Sequence, residues 1–458
     1  MTIEATRIEA RRSGPGQGGT GRSGPGQGGA TQIGTPRSDA PRVGYLTVPA
    51  GFTGDLRVAV GSRLLSGIVD GPSLAAHRRH WPAPEPIGAV DLVALTEQSG
   101  LRGRGGAGFP FSRKLSTAIA SGRKRTVVVN ASEGEPGSAK DSALMITSAH
   151  LVLDGAELVA GALESSTVRV VIPAERPAVG AALLEAIAER SGGRAQYEVQ
   201  QTGGTFVGGQ ARAVIELAEG RENLPVTSWA PEAVARIKGR PTLLSNAETY
   251  AQLACLAALG AAEYRNAGLA DEPGTTLLTV AGDGPSGVVL EVPFGVELAQ
   301  VLMYCGYPPD SIVLMGGYHG TWMAPEHALR RRLSRADLVA AGANIGAGVV
   351  LPLDPASCPV EATARIVAYL AAHSARRCGP CKNGLPVLAQ SVDDLFRDGD
   401  QRISNRIKEL VAIVTGRGAC AHPDGTARLV RSLFTAFPDE VRAHENRRCL
   451  IEAGLVTR

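Results

Sequence analysis

Between Gly100 and Asp141 the sequence collects residue types suited to holding an anion and the edge of a ring. Residues 100–110 read Gly-Leu-Arg-Gly-Arg-Gly-Gly-Ala-Gly-Phe-Pro, with Gly103, Gly105, Gly106 and Gly108 inside six positions. Glycines leave backbone N–H groups uncovered, so such a loop can fold around an anion. Arg104 and Lys114 add positive charge beside it. The β-branched run at Thr126–Asn130 predicts a buried strand, and it ends on Asn130, Glu133 and Glu135, which can hydrogen-bond a ring edge. The chemistry these residues fit is the binding of a phosphate-bearing cofactor. Gly103-x-Gly105-x-x-Gly108 also satisfies the dinucleotide fingerprint, but that fingerprint follows a strand and opens a helix. Here Asp91–Gly100 reads as helix and the strand comes afterwards.

A second constellation lies near the C-terminus. Cys378-Gly-Pro-Cys381 places two thiols within reach of one metal centre, and Cys420 follows in Arg-Gly-Ala-Cys-Ala-His-Pro. The stretches 387–396 and 403–414 between them have helical periodicity, so a return hairpin would bring Cys420 back to the pair. Soft thiolates suit zinc or an iron–sulfur cluster. A redox dithiol and inert thiols remain as alternatives, although no thioredoxin-like βαβ pattern surrounds the pair. Cys255 and Cys305 fall on apolar helix faces and read as core, and Cys449 as a tail thiol. Seven cysteines, an odd number, without a secretory leader favour ligands or buried thiols over disulfides, and a cytoplasmic location.

The elements that position these residues follow from pattern and length. A chain of 458 residues with 44% apolar and 20% charged residues is a multidomain globular protein. Its formal charge of +3 offers no general electrostatic footprint for nucleic acid, and no long uninterrupted apolar run suggests a membrane span. Residues 1–42 repeat Arg-Ser-Gly-Pro-Gly-Gln-Gly-Gly and are expected to be a disordered tail. Residues 43–90 form an apolar, proline-bearing lead-in expected to pack on the next domain. From 91 to 268, predicted strands 126–130, 167–172 and 196–200 alternate with predicted helices 142–164, 177–191, 209–218 and 246–260. Such alternation implies a Rossmann-like parallel sheet with ligands at the strand C-termini. Within it, Gly203–Gln210 opens a helix and offers further free amides, and Ser245-Asn246 precede an apolar helix as an N-cap. Residues 269–332 carry short strands around one helix, Val296–Cys305, in a β-grasp pattern, and 333–458 read as an all-helical bundle bearing the cysteines.

Taken in order, these segments resemble the flavin-bearing NADH dehydrogenase subunit of respiratory complex I and its relatives in NAD-linked hydrogenases and formate dehydrogenases. The resemblance rests on Gly-Arg-Gly-Gly-Ala-Gly-Phe-Pro, Asn130…Glu133-x-Glu135-Pro-Gly, Glu219-Gly-Arg, Pro241-Thr…Asn246-x-Glu248-Thr249, the β-grasp pattern and Cys-x-Pro-Cys…Cys-Ala-His. It implies a multidomain α/β protein: an FMN-binding domain, a ubiquitin-like SLBB domain and a helical bundle holding a [4Fe–4S] cluster. It further implies that Gly103, Arg104, Gly105, Gly106 and Lys114 hold the FMN phosphate and ribityl chain. Asn130 and Glu133 would contact the flavin, with Gly209, Ser245, Asn246 and Thr249 completing the pocket. Phe109, Glu135 and Phe206 would border NAD(H), and Cys378, Cys381 and Cys420 would ligate the cluster.

The same resemblance exposes departures. The position matching the family's first cluster cysteine is Ala375, leaving three thiols, with His373 or Cys358 as conceivable substitutes. Phe206, Gln210 and Ala211 stand where the family has a Tyr and paired glutamates, Ser132 replaces an acidic residue, and Ser228 and Pro231 replace a Lys and an aromatic. The implied activity is NADH:acceptor electron transfer of the quinone type through FMN and an iron–sulfur cluster, with NADH or a ferredoxin-like protein as donor. The implied partners are an electron-transfer subunit and a membrane-bound complex met at its cytoplasmic face. The contrasting readings are a non-catalytic scaffold that has lost its cofactors and a zinc-stabilised nucleotide-binding protein.

Overall fold

Val127, Val128 and Val129 are fully buried, so the apolar run at Thr126–Asn130 forms the middle of a sheet with both faces covered. The computed structural model describes residues 45–49, 55–122, 124–190, 195–227, 235–282 and 287–451. The tail 1–42, Ser228 and Pro231 lie outside the described residues. In chain order the strands are β1 (Tyr45–Pro49), β2 (Asp55–Ala59), β3 (Thr126–Asn130), β4 (Thr167–Pro173), β5 (Gln196–Thr202), β6 (Arg236–Ile237), β7 (Arg240–Asn246), β8 (Thr275–Val280), β9 (Val288–Pro293), β10 (Val313–Met315), β11 (Thr321–Met323) and β12 (Val349–Pro352).

The first sheet has the order β5-β4-β3-β7-β6, parallel except for the short edge strand β6. The chain runs from β3 outward to β4 and β5, then returns to place β7 on the other side of β3. Strand order therefore reverses at β3, the position where parallel sheets open a crevice at their C-terminal ends. The alternation read from the sequence is present, with helices Lys140–Ala162, Pro177–Glu189, Ala211–Ala218 and Ala247–Tyr264 between or after the strands. Strand β7 lacks a sequence expectation of its own, because its Pro241 and polar end resemble a loop before the Asn246 cap.

Helices Lys140–Ala162 and Ala247–Tyr264 cross closely beneath this sheet. A Cβ at Gly155 would lie 1.9 Å from the Tyr250 carbonyl oxygen, so only glycine permits that approach. Helix Lys140–Ala162 is long and apolar enough to cross a membrane, yet 83% of its most apolar window is buried within the protein. It is built as a core helix.

The second sheet has the order β1-β2-β9-β8-β12-β10-β11. Helix Leu298–Tyr304 packs on its core, which is built from Leu278, Leu290, Leu298, Leu302, Val313 and Val350. The lead-in supplies β1 and β2 to this sheet, while its helix Leu74–His80 packs against Lys140–Ala162. Strand β12 lies beyond residue 332, so the strand set continues past the boundary drawn from the sequence. Beyond it, helices Pro359–Ala372, Leu385–Arg397, Gln401–Val414, His422–Ala436 and Pro438–Glu445 form the C-terminal helical region around Val367, Leu388, Ile407 and Leu433.

Candidate functional site

Asn130 and Asn246 are paired residues at the adjoining C-terminal ends of β3 and β7. The Asn246 amide donates to the Asn130 carbonyl at 3.3 Å and to Asp141 at 2.7 Å, while its side-chain oxygen accepts from the Glu248 amide at 3.1 Å. Asn246 thus caps helix Ala247–Tyr264, the role its position before the apolar run predicts.

The glycine loop closes over these strand ends. The Arg104 amide donates to Thr249 Oγ1 at 3.0 Å, and a Cβ at Gly105 would stand 3.4 Å from Asn246 Cβ. Gly106 has φ +97°, and a Cβ there would lie 3.2 Å from the Gly346 carbonyl oxygen. Gly106 needs glycine for its positive φ and close wall, while Gly105 stands at ordinary contact distance from Asn246. Among the described residues, the amides of Gly105, Gly106 and Ala107 have no acceptor. Lys114 reaches the end of β7, with Nζ 2.7 Å from the Leu244 carbonyl, and Ser245 follows it, buried.

The Arg104 guanidinium points elsewhere than the sequence suggests. It is buried, donates to the carbonyls of Thr275 and Arg102, stacks 4.8 Å from the Phe294 ring centroid and lies 3.7 Å from Glu248. Its charge braces the loop against the second sheet, and its backbone amide serves the loop itself. Glu133 is likewise committed. Its two oxygens accept from Ser138, from the amides of Asp141 and Ser142, from the Ser142 hydroxyl and from Arg176. Burial pushes its carboxyl up, but Arg176 and the two serines outweigh burial and hold it below the usual range. Glu133 therefore anchors the start of helix Lys140–Ala162. Lys140 completes this buried network by pairing with Asp141 at 2.8 Å and Glu248 at 2.9 Å. Arg176, Lys140 and Asp141 carry no motif signal strong enough to single them out in the sequence.

Asn130 also donates from Nδ2 to the Gly209 carbonyl at 3.0 Å, and Ser132 donates to Asn130 Oδ1. A Cβ at Gly209 would sit 2.8 Å from the Ser132 carbonyl oxygen, so the turn Phe206–Gly209 lies directly on the strand end. Glu135, nearby, is half-buried, with Oε2 accepting from the Tyr318 amide at 3.1 Å and a buried Oε1 without a hydrogen-bond partner among the described residues. Burial pushes its carboxyl up to about 8 despite the amides of Tyr318 and Gly137. This burial favours the protonated form of the acid. Phe109 is 44% exposed and free to stack on a ligand. Phe206 instead packs edge-on to His319 at 4.6 Å and to Tyr369 at 6.3 Å, against the second sheet and the helical region.

The three expected thiols converge. Cys381 is buried and its thiol is pushed up to about 12 by burial, with Cys378 hydrogen-bonded to it and Cys420 adding to the effect. Cys420 lies within hydrogen-bonding reach of Gln210 and within electrostatic reach of Arg212. Gln210 follows Gly209, so one residue separates the strand-end cleft from the thiol group. Two residues after Cys420, His422 is buried, donates from Nε2 to the Leu370 carbonyl (2.9 Å) and meets His319 at 3.0 Å. Of the substitute ligands for the Ala375 position, His373 stacks on Tyr369 at 4.0 Å, and Cys358 belongs to a separate group with Glu440, His444 and Cys449. Cys449 is buried in that group, which corrects its reading as a tail thiol; Glu440 and His444 had no motif to mark them. Cys255 and Cys305 are buried, as their helix faces imply.

The donor sets fit the two groups the sequence suggests. Three acceptor-free amides, a lysine and close glycine walls suit a phosphate-bearing flavin, and three adjacent thiols suit an iron–sulfur centre lacking one protein thiolate.

Comparison with known proteins agrees. Residues 96–254 match the Nuo51 FMN-binding domain, and residues 361–444 match the NADH-ubiquinone oxidoreductase-F iron–sulfur binding region. The second F-type subunit of NADH-quinone oxidoreductase in Rhizobium meliloti (strain 1021) is 29% identical over 379 residues, covering 78% of this chain and 90% of the relative. The HndC subunit of the NADP-reducing hydrogenase of Solidesulfovibrio fructosivorans is 27% identical over 380 residues, covering 79% and 77%. A crystal structure of an NAD+-reducing [NiFe]-hydrogenase in the H2-reduced state superposes with TM-score 0.70 at 26% identity, covering 78% of this chain. The present chain spans 63% of that hydrogenase chain.

Proposed function

We propose, for a chain that belongs to the family of F-type NADH-quinone oxidoreductase subunits, that it is the FMN- and iron–sulfur-bearing component of an NADH dehydrogenase-type oxidoreductase. When bound, FMN supplies the conversion of a hydride's electron pair into single electrons and the cluster supplies their outlet.

The chain's own residues divide the work. The amides of Gly105, Gly106 and Ala107 and the Lys114 ammonium hold the phosphate, and Asn130, Ser245 and Asn246 hold the flavin at the strand ends. Thr249 fixes the loop through the Arg104 amide, and Arg104 and Glu133 support the pocket from behind. Phe109 stacks on the nicotinamide nucleotide and the neutral Glu135 carboxyl donates a hydrogen bond toward it. Cys378, Cys381 and Cys420 hold the cluster, with the fourth thiolate missing at Ala375. The β8–β11 segment with helix Leu298–Tyr304 is the ubiquitin-like SLBB module. Because the relatives are named as subunits, the electron acceptor is a partner subunit or a ferredoxin-like protein.

The observation that supports this reading is the Asn130–Gly209–Gln210–Cys420 connection, in which one turn touches both the strand end proposed for the flavin and the thiol group proposed for the cluster. The test is cofactor content. Anaerobically purified protein should release FMN on denaturation and contain iron and acid-labile sulfide, and Cys420→Ser should lose iron while keeping flavin. Protein without FMN and iron after reconstitution with both would refute the reading.

A further inference from the structure

Cys358, Glu440, His444 and Cys449 are drawn together from two ends of the helical region. Cys358 is the N-cap of helix Pro359–Ala372, Glu440 and His444 lie one turn apart on helix Pro438–Glu445, and Cys449 follows that helix. All four are buried, at 4–9% exposure, and their donor atoms lie within 4.8 Å of one another. We propose that these four side chains bind one zinc ion as a structural clamp, separate from the three-cysteine centre.

The spacing supports four-coordinate geometry. A tetrahedral ion with bonds of about 2.0–2.3 Å to N, O and S requires ligand–ligand edges of about 3.3–3.8 Å. Cys358 Sγ lies 3.3 Å from His444 Nε2 and 3.7 Å from Glu440 Oε1, and His444 Nε2 lies 3.2 Å from that same oxygen. These three edges match one face of such a tetrahedron, and Cys449 Sγ lies within 4.8 Å of each of the three atoms, so a small shift of that thiol would bring it to the fourth corner. Two thiols, an imidazole and a carboxylate form a borderline-soft set that suits zinc, and all four positions are filled by protein, as in structural sites. Glu440 already accepts from Cys358, Cys449 and the Leu450 amide and pairs with His444 at 3.2 Å, so its carboxylate faces the other three donors. The site joins the first helix of the bundle to its last. Cys378 follows that first helix and Cys420 precedes His422–Ala436, so the clamp would fix the frame that presents the thiol group.

The test is elemental analysis of the full-length protein purified from zinc-supplemented medium. About one zinc per chain is expected in the unaltered protein and in Cys378→Ser. Less than a tenth is expected in Cys449→Ser and in His444→Gln, with iron unchanged. Should those variants fail to fold, the unaltered protein stripped of zinc should bind one Co2+ with the visible ligand-field bands of a tetrahedral thiolate site. Zinc retained in folded Cys449→Ser and His444→Gln would overturn the proposal. So would protein that holds no zinc and gives no tetrahedral cobalt spectrum.

Discussion

The Asn246 side chain reaches across from β7 to the carbonyl of its register partner Asn130 on β3 and, with the same amide, to Asp141 on the following helix. One residue therefore levels the two central strand ends and ties them to helix Lys140–Ala162. The Gly103–Gly108 loop then rests on this platform through the Arg104–Thr249 bond.

Lys114 extends its ammonium to the end of β7, donating to the Leu244 carbonyl at 2.7 Å. A charge-assisted contact to phosphate contributes about 1.5–3 kcal/mol. Lys114→Ala is expected to weaken FMN binding by roughly 10- to 100-fold at unchanged helicity, read by flavin fluorescence quenching on titrating the apoprotein. An unchanged Kd would place the phosphate elsewhere.

Glu135 gives a pH signature. Its carboxyl, at about 8 in the folded protein against 4.5 ordinarily, keeps its proton where the unfolded chain releases it. Its contribution is complete below about pH 4.5 and is lost as pH rises toward 8, each unit removing up to about 1.4 kcal/mol. Glu135→Gln should flatten the fall in unfolding free energy over that window in urea melts. A variant whose stability falls in parallel with the unaltered protein would show that Glu135 is ionised in the fold.

Asp154 lies in the core helix and accepts from His77, Arg78 and Arg190. Burial raises its carboxyl, but these partners outweigh burial and hold it well below the usual range. Its stabilisation is present above about pH 4 and is lost as acid protonates it. Asp154→Ala should cost about 3–5 kcal/mol at pH 7, since it strips a buried cation cluster of its shared anion. Chemical denaturation measures this, and a loss below about 1 kcal/mol would contradict it.

Ala375 stands three residues before Cys378, where the proposed cluster would take its fourth thiolate. Ala375→Cys should raise retained iron and slow cluster loss in air, followed by the decay of visible absorbance. Iron content and decay indistinguishable from the unaltered protein would mean that position 375 does not face the cluster.

Much of this was legible in residue pattern. Valine runs and helical periodicity mark β3, β4 and their helices, because burial on both faces leaves a continuous apolar signature. The Cys378, Cys381 and Cys420 convergence follows from a helical hairpin of ordinary length. Three things were hidden. Strand β7 carries proline at its second position and ends on polar residues, so its pairing with β3 emerges only in three dimensions. Arg104 and Glu133 read as ligand-facing because charge beside a glycine loop looks the same whether it faces the cleft or the interior. Cys358 and Cys449 are separated by ninety-one positions, the difference of their numbers, and no local spacing joins them to Glu440 and His444.

The central claim is that electrons from NADH pass through bound flavin to the three-cysteine cluster. The direct measurement is anaerobic titration of the purified protein with NADH, following flavin absorbance and then low-temperature electron paramagnetic resonance of the cluster. Stoichiometric bleaching of the flavin band, with a cluster signal that changes as electrons arrive and is absent in Cys420→Ser, is the result the account predicts. A flavin band that does not bleach with NADH, or bleaches while the cluster signal stays fixed, would contradict it.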